Sequence, residues 1–315
     1  MKKIVALMLA VGLLVGCAKT ENTAQKEDKL SVIATVFPAY DFAREIAGDK
    51  AAVSQLLPAG AESHTFEPAP RDIIAIQNCD LFICTGGEGD VWIDDILESM
   101  GDKAPQVLKM TECVELLEAE AAEDDHYHEG EHHHGDGHHH DFDEHVWTSP
   151  KNAVKIADAI AKKLIELDGD NAEHYSDNLN SYTEKLNGLD EEIEKAVASA
   201  KRKTIVVGDR FPFLYLARHY GLEYYAAFSA CGSEGDASAA TVAALTDKVR
   251  ELGIPYVLYI EFSTHKVADA IAETAGAKTA LLHSCHNVSE RDISEGISYL
   301  KLMENNVQIL KNVLN

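Results

Sequence analysis

Positive charge is scarce in this chain. It carries 28 Lys and Arg against 53 Asp and Glu, a formal net charge of −25, and removal of residues 1–16 would take away two lysines and no acid, moving it to −27. A surface of that sign excludes nucleic acid as a partner. Cysteine is also scarce. Beyond Cys17 only Cys79, Cys84, Cys113, Cys231 and Cys285 remain, an odd number without close spacing, which excludes a disulfide scaffold, although Cys79 and Cys84 could pair if their geometry allows. The apolar run from Ile4 to Val15 is too short for a lasting membrane span. The signatures of covalent and phosphoryl-transfer enzymes are missing as well. Gly86-Gly87-Glu88-Gly89 lacks the third glycine of a dinucleotide fingerprint, no strand-borne phosphate loop exists, and Cys231-Gly232-Ser233-Glu234-Gly235 fails G-x-S-x-G.

Histidine is abundant, and it is concentrated. Eight of the fifteen histidines lie between His126 and His140: His126, His128, His132, His133, His134, His138, His139 and His140. The surrounding Asp, Glu and Gly leave no apolar period, so the tract predicts a mobile loop, and clustered imidazoles and carboxylates make it a low-affinity collector of metal cations. His128-Glu129-Gly130-Glu131-His132 matches the zinc-protease pattern H-E-x-x-H, but Gly130 argues against the stable helix that chemistry needs. Directly after the tract, Asp143-Glu144-His145-Val146-Trp147-Thr148-Ser149-Pro150 changes character. Val146 and Trp147 supply anchoring, and Ser149-Pro150 reads as N-cap and first helical residue, so His145 is expected to be held rigidly.

Met1-Lys2-Lys3, the apolar run and Leu14-Val15-Gly16-Cys17 read as a lipoprotein signal, residues 1–16, with Cys17 the lipid-bearing first mature residue and 17–29 a tether. The expectation is a protein anchored at the extracellular face of the cell membrane and not spanning it. From Leu30 onward, β-branched runs alternate with helical patterns, the signature of parallel α/β units. Strands are expected at Leu30–Val36, Val53–Leu57, Leu81–Cys84 and Gln106–Lys109, with helices at Ala39–Ala47 and Arg71–Gln77 between them. Two helices follow without a strand between them, Pro150–Leu167 and roughly Asn171–Ala200. The second is roughly 45 Å long at 1.5 Å per residue, a rigid connector or else an ordinary amphipathic surface helix. Strands Thr204–Val207, Leu222–Ala226, Tyr256–Ile260 and Thr279–Leu282 then alternate with helices Phe213–Tyr220, Ala239–Leu252 and Lys266–Ala275, and one last helix starts at Ser289. The fold class is α/β, two lobes each with a mostly parallel sheet flanked by helices: 30–168 (including the His-rich loop, 124–142) and 201–315, joined by a helix over 169–200. Ligands of parallel sheets bind beyond the carboxyl ends of the strands. His64 lies on such a loop, and Asp209, Glu261, His283 and His286 follow strands of the second lobe.

Together these features resemble the substrate-binding proteins of zinc and manganese ABC importers, cluster A-I. The resemblance rests on the lipobox, Leu57-Pro58-Ala59-Gly60 leading to Ser63-His64-Thr65-Phe66-Glu67-Pro68, the His-rich insertion and the Asp143–Pro150 phrase, and it covers nearly the whole mature chain. It implies two α/β lobes joined by a long helix with metal between them, a partner permease, a monomer, and no enzymatic activity. It places the first ligand at His64 and the second at His145. For the second lobe it points to His286 where the family has a carboxylate, and to Asp209 as the nearest residue to the remaining ligand. Asp209 reads equally as a helix N-cap or as a partner of Arg210. Glu261 and His283 read as supporting residues or alternative ligands. Three imidazoles and one carboxylate suit Zn²⁺ at about 2.0–2.2 Å per bond and favour it over Mn²⁺. The readings to set against a zinc receptor are a manganese receptor of the same family, a metal-dependent hydrolase with an open position beside Glu261, and a surface zinc store or adhesin.

Overall fold

The computed structural model describes residues 29–62, 65–119, 142–229 and 237–315. Cys17, where the lipid anchor is expected, His64, the histidines of the His-rich tract and Cys231 lie outside them. In chain order the elements are β1 (Leu30–Ala34), α1 (Phe37–Ala47), β2 (Ala51–Gln55), α2 (Pro70–Gln77), β3 (Leu81–Cys84), α3 (Val91–Met100), β4 (Gln106–Lys109), α4 (Pro150–Leu167) and α5 (Ala172–Ala198). They continue with β5 (Thr204–Arg210), α6 (Leu214–Tyr220), β6 (Glu223–Phe228), α7 (Ala239–Leu252), β7 (Tyr256–Tyr259), α8 (Lys266–Ala275), β8 (Lys278–Leu281), α9 (Glu290–Ser294) and α10 (Tyr299–Val313).

The strands form two parallel four-stranded sheets of the same connectivity, β2-β1-β3-β4 and β6-β5-β7-β8. The central strands are apolar on both faces. β3 is buried along its whole length, and Ile205, Val206 and Val207 of β5 are fully buried, as expected for strands covered by helices on both sides. In α1 the buried residues Phe42, Ala43, Ile46 and Ala47 recur at helical spacing, and Gly48 at φ 56° stops the helix in a conformation that favours glycine. One continuous core runs from Val32 and Phe42 through Trp147, Tyr182 and Leu186 to Val207, Leu216 and Leu310, so the halves share a hydrophobic interior.

The long helix α5 spans 27 residues. Its first turns reach α1, where Asn178 Nδ2 donates to the Ile46 carbonyl at 2.9 Å and Tyr182 packs on Phe42. Further along, Asp190 accepts from Tyr220 of α6 and Glu192 pairs with Lys311 of α10. It therefore braces both sheets' flanking helices, which an ordinary surface helix would not do.

Several elements differ from the sequence expectation. Helix α3 has no counterpart among the expected elements. Its Ile93, Leu97 and Met100 pack behind the first sheet with Phe82 and Ile76. The single last helix is two, because Gly296 at φ 72° interrupts it and Ser298 caps a fresh start, accepting from Lys301 N. Strand β5 continues past Val207 through the polar Gly-Asp-Arg. Ser149 does precede α4, but its hydroxyl makes no cap. It lies 2.6 Å from His219 Nδ1 instead. Cys79 and Cys84 are separate, buried free thiols, and burial pushes the Cys79 thiol up to about 12.

Gly208 fixes how closely β5 meets α8. A Cβ there would stand 2.5 Å from Ala268 Cα and 2.7 Å from its amide nitrogen, both backbone atoms that cannot swing aside. Gly208→Ala should therefore cost about 2–4 kcal/mol of stability, above the usual overpacking range because helix must part from sheet. A urea midpoint within error of the parent's would contradict this.

Candidate metal cleft

The carboxyl ends of the two sheets face a common cleft, lined among others by His145, His286, Glu62, Arg210 and Glu261. His145 comes from the segment between β4 and α4. Val146 and Trp147 are fully buried, and His145 itself is 2% exposed. Asp143 Oδ1 accepts from the His145 backbone N at 2.8 Å and sits 3.0 Å from its Nδ1. A carboxylate can only accept, so Nδ1 carries the hydrogen and Nε2 keeps its lone pair, the arrangement that orients an imidazole for a metal. Burial lowers the His145 pKa, but Asp143, by charge and by hydrogen bond, outweighs it and the net direction is upward.

The glycine-rich run after β3 has a role in this support that is not nucleotide binding. Gly89 N donates to Glu144 Oε2 at 3.0 Å, and a Cβ at Gly87 would stand 2.5 Å from the same oxygen. The glycines make room for the buried carboxylate next to His145.

His286 follows β8 and its ring centroid is 5.4 Å from that of His145, with Trp147 5.1 Å away. Its backbone is tied to both halves, since its carbonyl accepts from Phe37 N at 3.2 Å and its N donates to Ser284 Oγ at 3.2 Å. Cys285 just before it holds φ 64°, unfavourable for a side-chain-bearing residue. Asn287 just after it is a loop-linking residue that sequence reasoning missed. Its Nδ2 donates to the carbonyls of Pro58 and Ala61, both at 2.8 Å, and its Oδ1 accepts from Gln55 Nε2 at 3.1 Å. The loop leading to His64 is thus fastened to the loop bearing His286. An Asn two residues before a Ser cap carries no local signature of such a role.

The other expected residues fall differently. Glu261 lines the cleft, but its Oε1 accepts from Ser284 Oγ at 2.5 Å and its Oε2 from Ser284 N at 2.7 Å. His283 stands beside this pair, 3.5 Å from Glu261, and its Nδ1 accepts from Cys285 N at 2.9 Å. Asp209 is buried, with Oδ1 accepting from Arg210 N at 2.9 Å and Oδ2 unpartnered among the described residues. The side chain that β5 brings to the cleft lining is its neighbour Arg210, whose guanidinium meets Glu62 Oε2 at 2.9 Å. Among the described residues no three His, Cys, Asp or Glu side chains gather into a metal shell. His145 and His286 stand together in the cleft lining, and Asn287 fastens Pro58 and Ala61 beside them.

Residues 32–313 match the family described as zinc-uptake complex component A, periplasmic. The chain belongs to this family. It is 34% identical to the zinc-binding lipoprotein AdcA of Streptococcus pneumoniae over 99% of its own length and 61% of that protein's. It is 32% identical to the high-affinity zinc uptake system protein ZnuA of Bacillus subtilis, over 95% of this chain and 92% of the other. Among solved structures, the Zn(II)-bound ZnuA-like domain of the pneumococcal AdcA superposes with a TM-score of 0.75 at 30% identity, covering 91% of this chain and 99% of that one. The lipoprotein YcdH of Bacillus subtilis superposes at 0.77 and 29%, over 91% and 99%. The family description is that of an uptake component and not of an enzyme. No helix among the described residues is long and apolar enough to cross a membrane.

Proposed function

We propose that this protein is an extracellular, lipid-anchored receptor that captures Zn²⁺ in the cleft between its sheets and delivers it as cargo to an ABC-type permease, acting as a monomer tethered through Cys17. The observation that carries the reading is the pair of imidazoles, His145 and His286, brought together from the two halves with the His145 Nδ1 fixed by Asp143. His64 supplies a third nitrogen, and a carboxylate completes the four-ligand shell that suits zinc. The zinc-binding names of the relatives support the same cargo. Imidazoles make manganese the weaker alternative. A hydrolytic reading would need Glu261 as a general base, and Ser284 engages both of its oxygens.

The test is calorimetric titration of residues 18–315 with Zn²⁺ and Mn²⁺, repeated on His286→Ala and on a deletion of residues 126–140. One tight zinc event that survives the deletion and fails in His286→Ala supports the receptor, with the tract as a low-affinity collector. Loss of tight binding on deletion would refute that division of labour and favour a store.

Affinity should fall with pH. Zinc needs the neutral imidazole, and Asp143 holds the His145 proton to a pH above the ordinary 6.5. Competition therefore begins above about pH 6.5 and steepens as pH drops. An affinity flat from pH 8 to pH 6 would exclude imidazole ligation.

A further inference from the structure

A metal cleft with a buried cation of its own calls for an explanation. The Arg210 side chain is 13% exposed and lines the cleft with the two imidazoles. A fixed positive charge there repels an incoming dication unless a carboxylate balances it. Glu62 does so from the opposite half of the molecule, two residues before His64, with its side chain 36% exposed. Among the described residues, the other carboxylate of the lining, Glu261, is held by Ser284, and Asp209 is not part of the lining.

We propose that Arg210 is the cleft's resident cation and that a divalent metal displaces it, taking Glu62 from the guanidinium as an oxygen ligand beside the imidazoles. This rests on the zinc-receptor reading and deepens it. A dication concentrates more charge than a delocalised guanidinium, so the carboxylate transfers when the imidazoles have already engaged the metal. The displaced Arg210 then remains beside Glu62, ready to reclaim it when the cargo leaves. The site gives up some affinity and gains an easier release.

The experiment uses the full chain, with Zn²⁺ affinity from chelator competition and Co²⁺ as a spectroscopic probe of the ligand set. Melting of each metal-free variant shows that it folds, and Arg210→Gln, which also removes the charge but stays polar, serves as the milder replacement should Arg210→Met not. Arg210→Met should tighten zinc binding at least tenfold. Glu62→Gln should weaken it at least tenfold in the parent and again in the Arg210→Met background, and should change the Co²⁺ visible absorption in both. The second background is decisive, because no guanidinium is left there for Glu62 to neutralise. Unchanged affinity and spectrum for Glu62→Gln in that background would overturn the proposal. A parent that loses zinc in His145→Ala yet is indifferent to Glu62 and Arg210 overturns this inference alone. A parent that binds no zinc overturns the receptor reading and this inference with it.

Discussion

His145→Ala should lower zinc affinity by roughly 10²–10³-fold. Zinc held by four protein ligands is worth about 10–16 kcal/mol, or about 2.5–4 per ligand, and each 1.4 is tenfold. His145 belongs at the upper end, since its ring is already locked by Asp143 and buried, and no reorganisation is required for it to bind. Asp143→Ala removes that lock and leaves the imidazole in place. It should cost about 10–100-fold, the range for the partner behind a metal-bound histidine. Competition against a chromophoric chelator reads both. The order of the two variants matters more than either value. If Asp143→Ala were the more damaging, His145 would be a support for some other group and not a ligand.

Where the chemistry is local, the sequence is easy to read. Leu81–Cys84, Gln106–Lys109, Pro150–Leu167, Ala239–Leu252 and Lys266–Ala275 are apolar runs or periodic stretches with clean ends, and the observed elements begin and end at the same residues. Helix α3 escapes such a reading because the glycines before it suggest only a loop, while the reason for those glycines, the Glu144 carboxylate, lies 55 residues away. His145, shortly before a helix, and His286, after a strand, stand out as imidazoles within phrases singled out in the sequence. Arg210 does not, because β5 ends three residues beyond its last apolar residue and the pleat, not the composition, decides which of Asp209 and Arg210 meets the cleft. Its pairing with Glu62 across 148 residues, and the hold of Asn287 on Ala61 across 226, are products of the fold that no spacing in the chain encodes.

Trp147→Ala should destabilise the fold more than Gly208→Ala does, by about 3–5 kcal/mol for the lost aromatic volume and more for the carbonyl it strands. Trp147 is fully buried in the core shared by both halves, and its Nε1 donates to the Ser284 carbonyl at 2.9 Å. Ser284 is itself 3% exposed, so without the indole that oxygen has lost its donor away from water, a loss of about 1–3 kcal/mol. The Tyr299 hydroxyl donates to the Trp147 backbone carbonyl and would keep its bond in either variant. Trp147→Phe separates the two contributions, because it keeps a ring of nearly sufficient size while removing the donor. Its loss should fall near 1–3 kcal/mol, and the melting temperature should drop in the order parent, Phe, Ala, by roughly 2–4 °C per kcal/mol for a chain of this size. The effect on zinc should follow the hydrogen bond more than the volume, since Ser284 begins the turn that carries His286 and accepts the His286 amide through its hydroxyl. A Trp147→Phe chain that melts below the parent yet binds zinc identically would show that the turn is held by Glu261 and Asn287 without the indole.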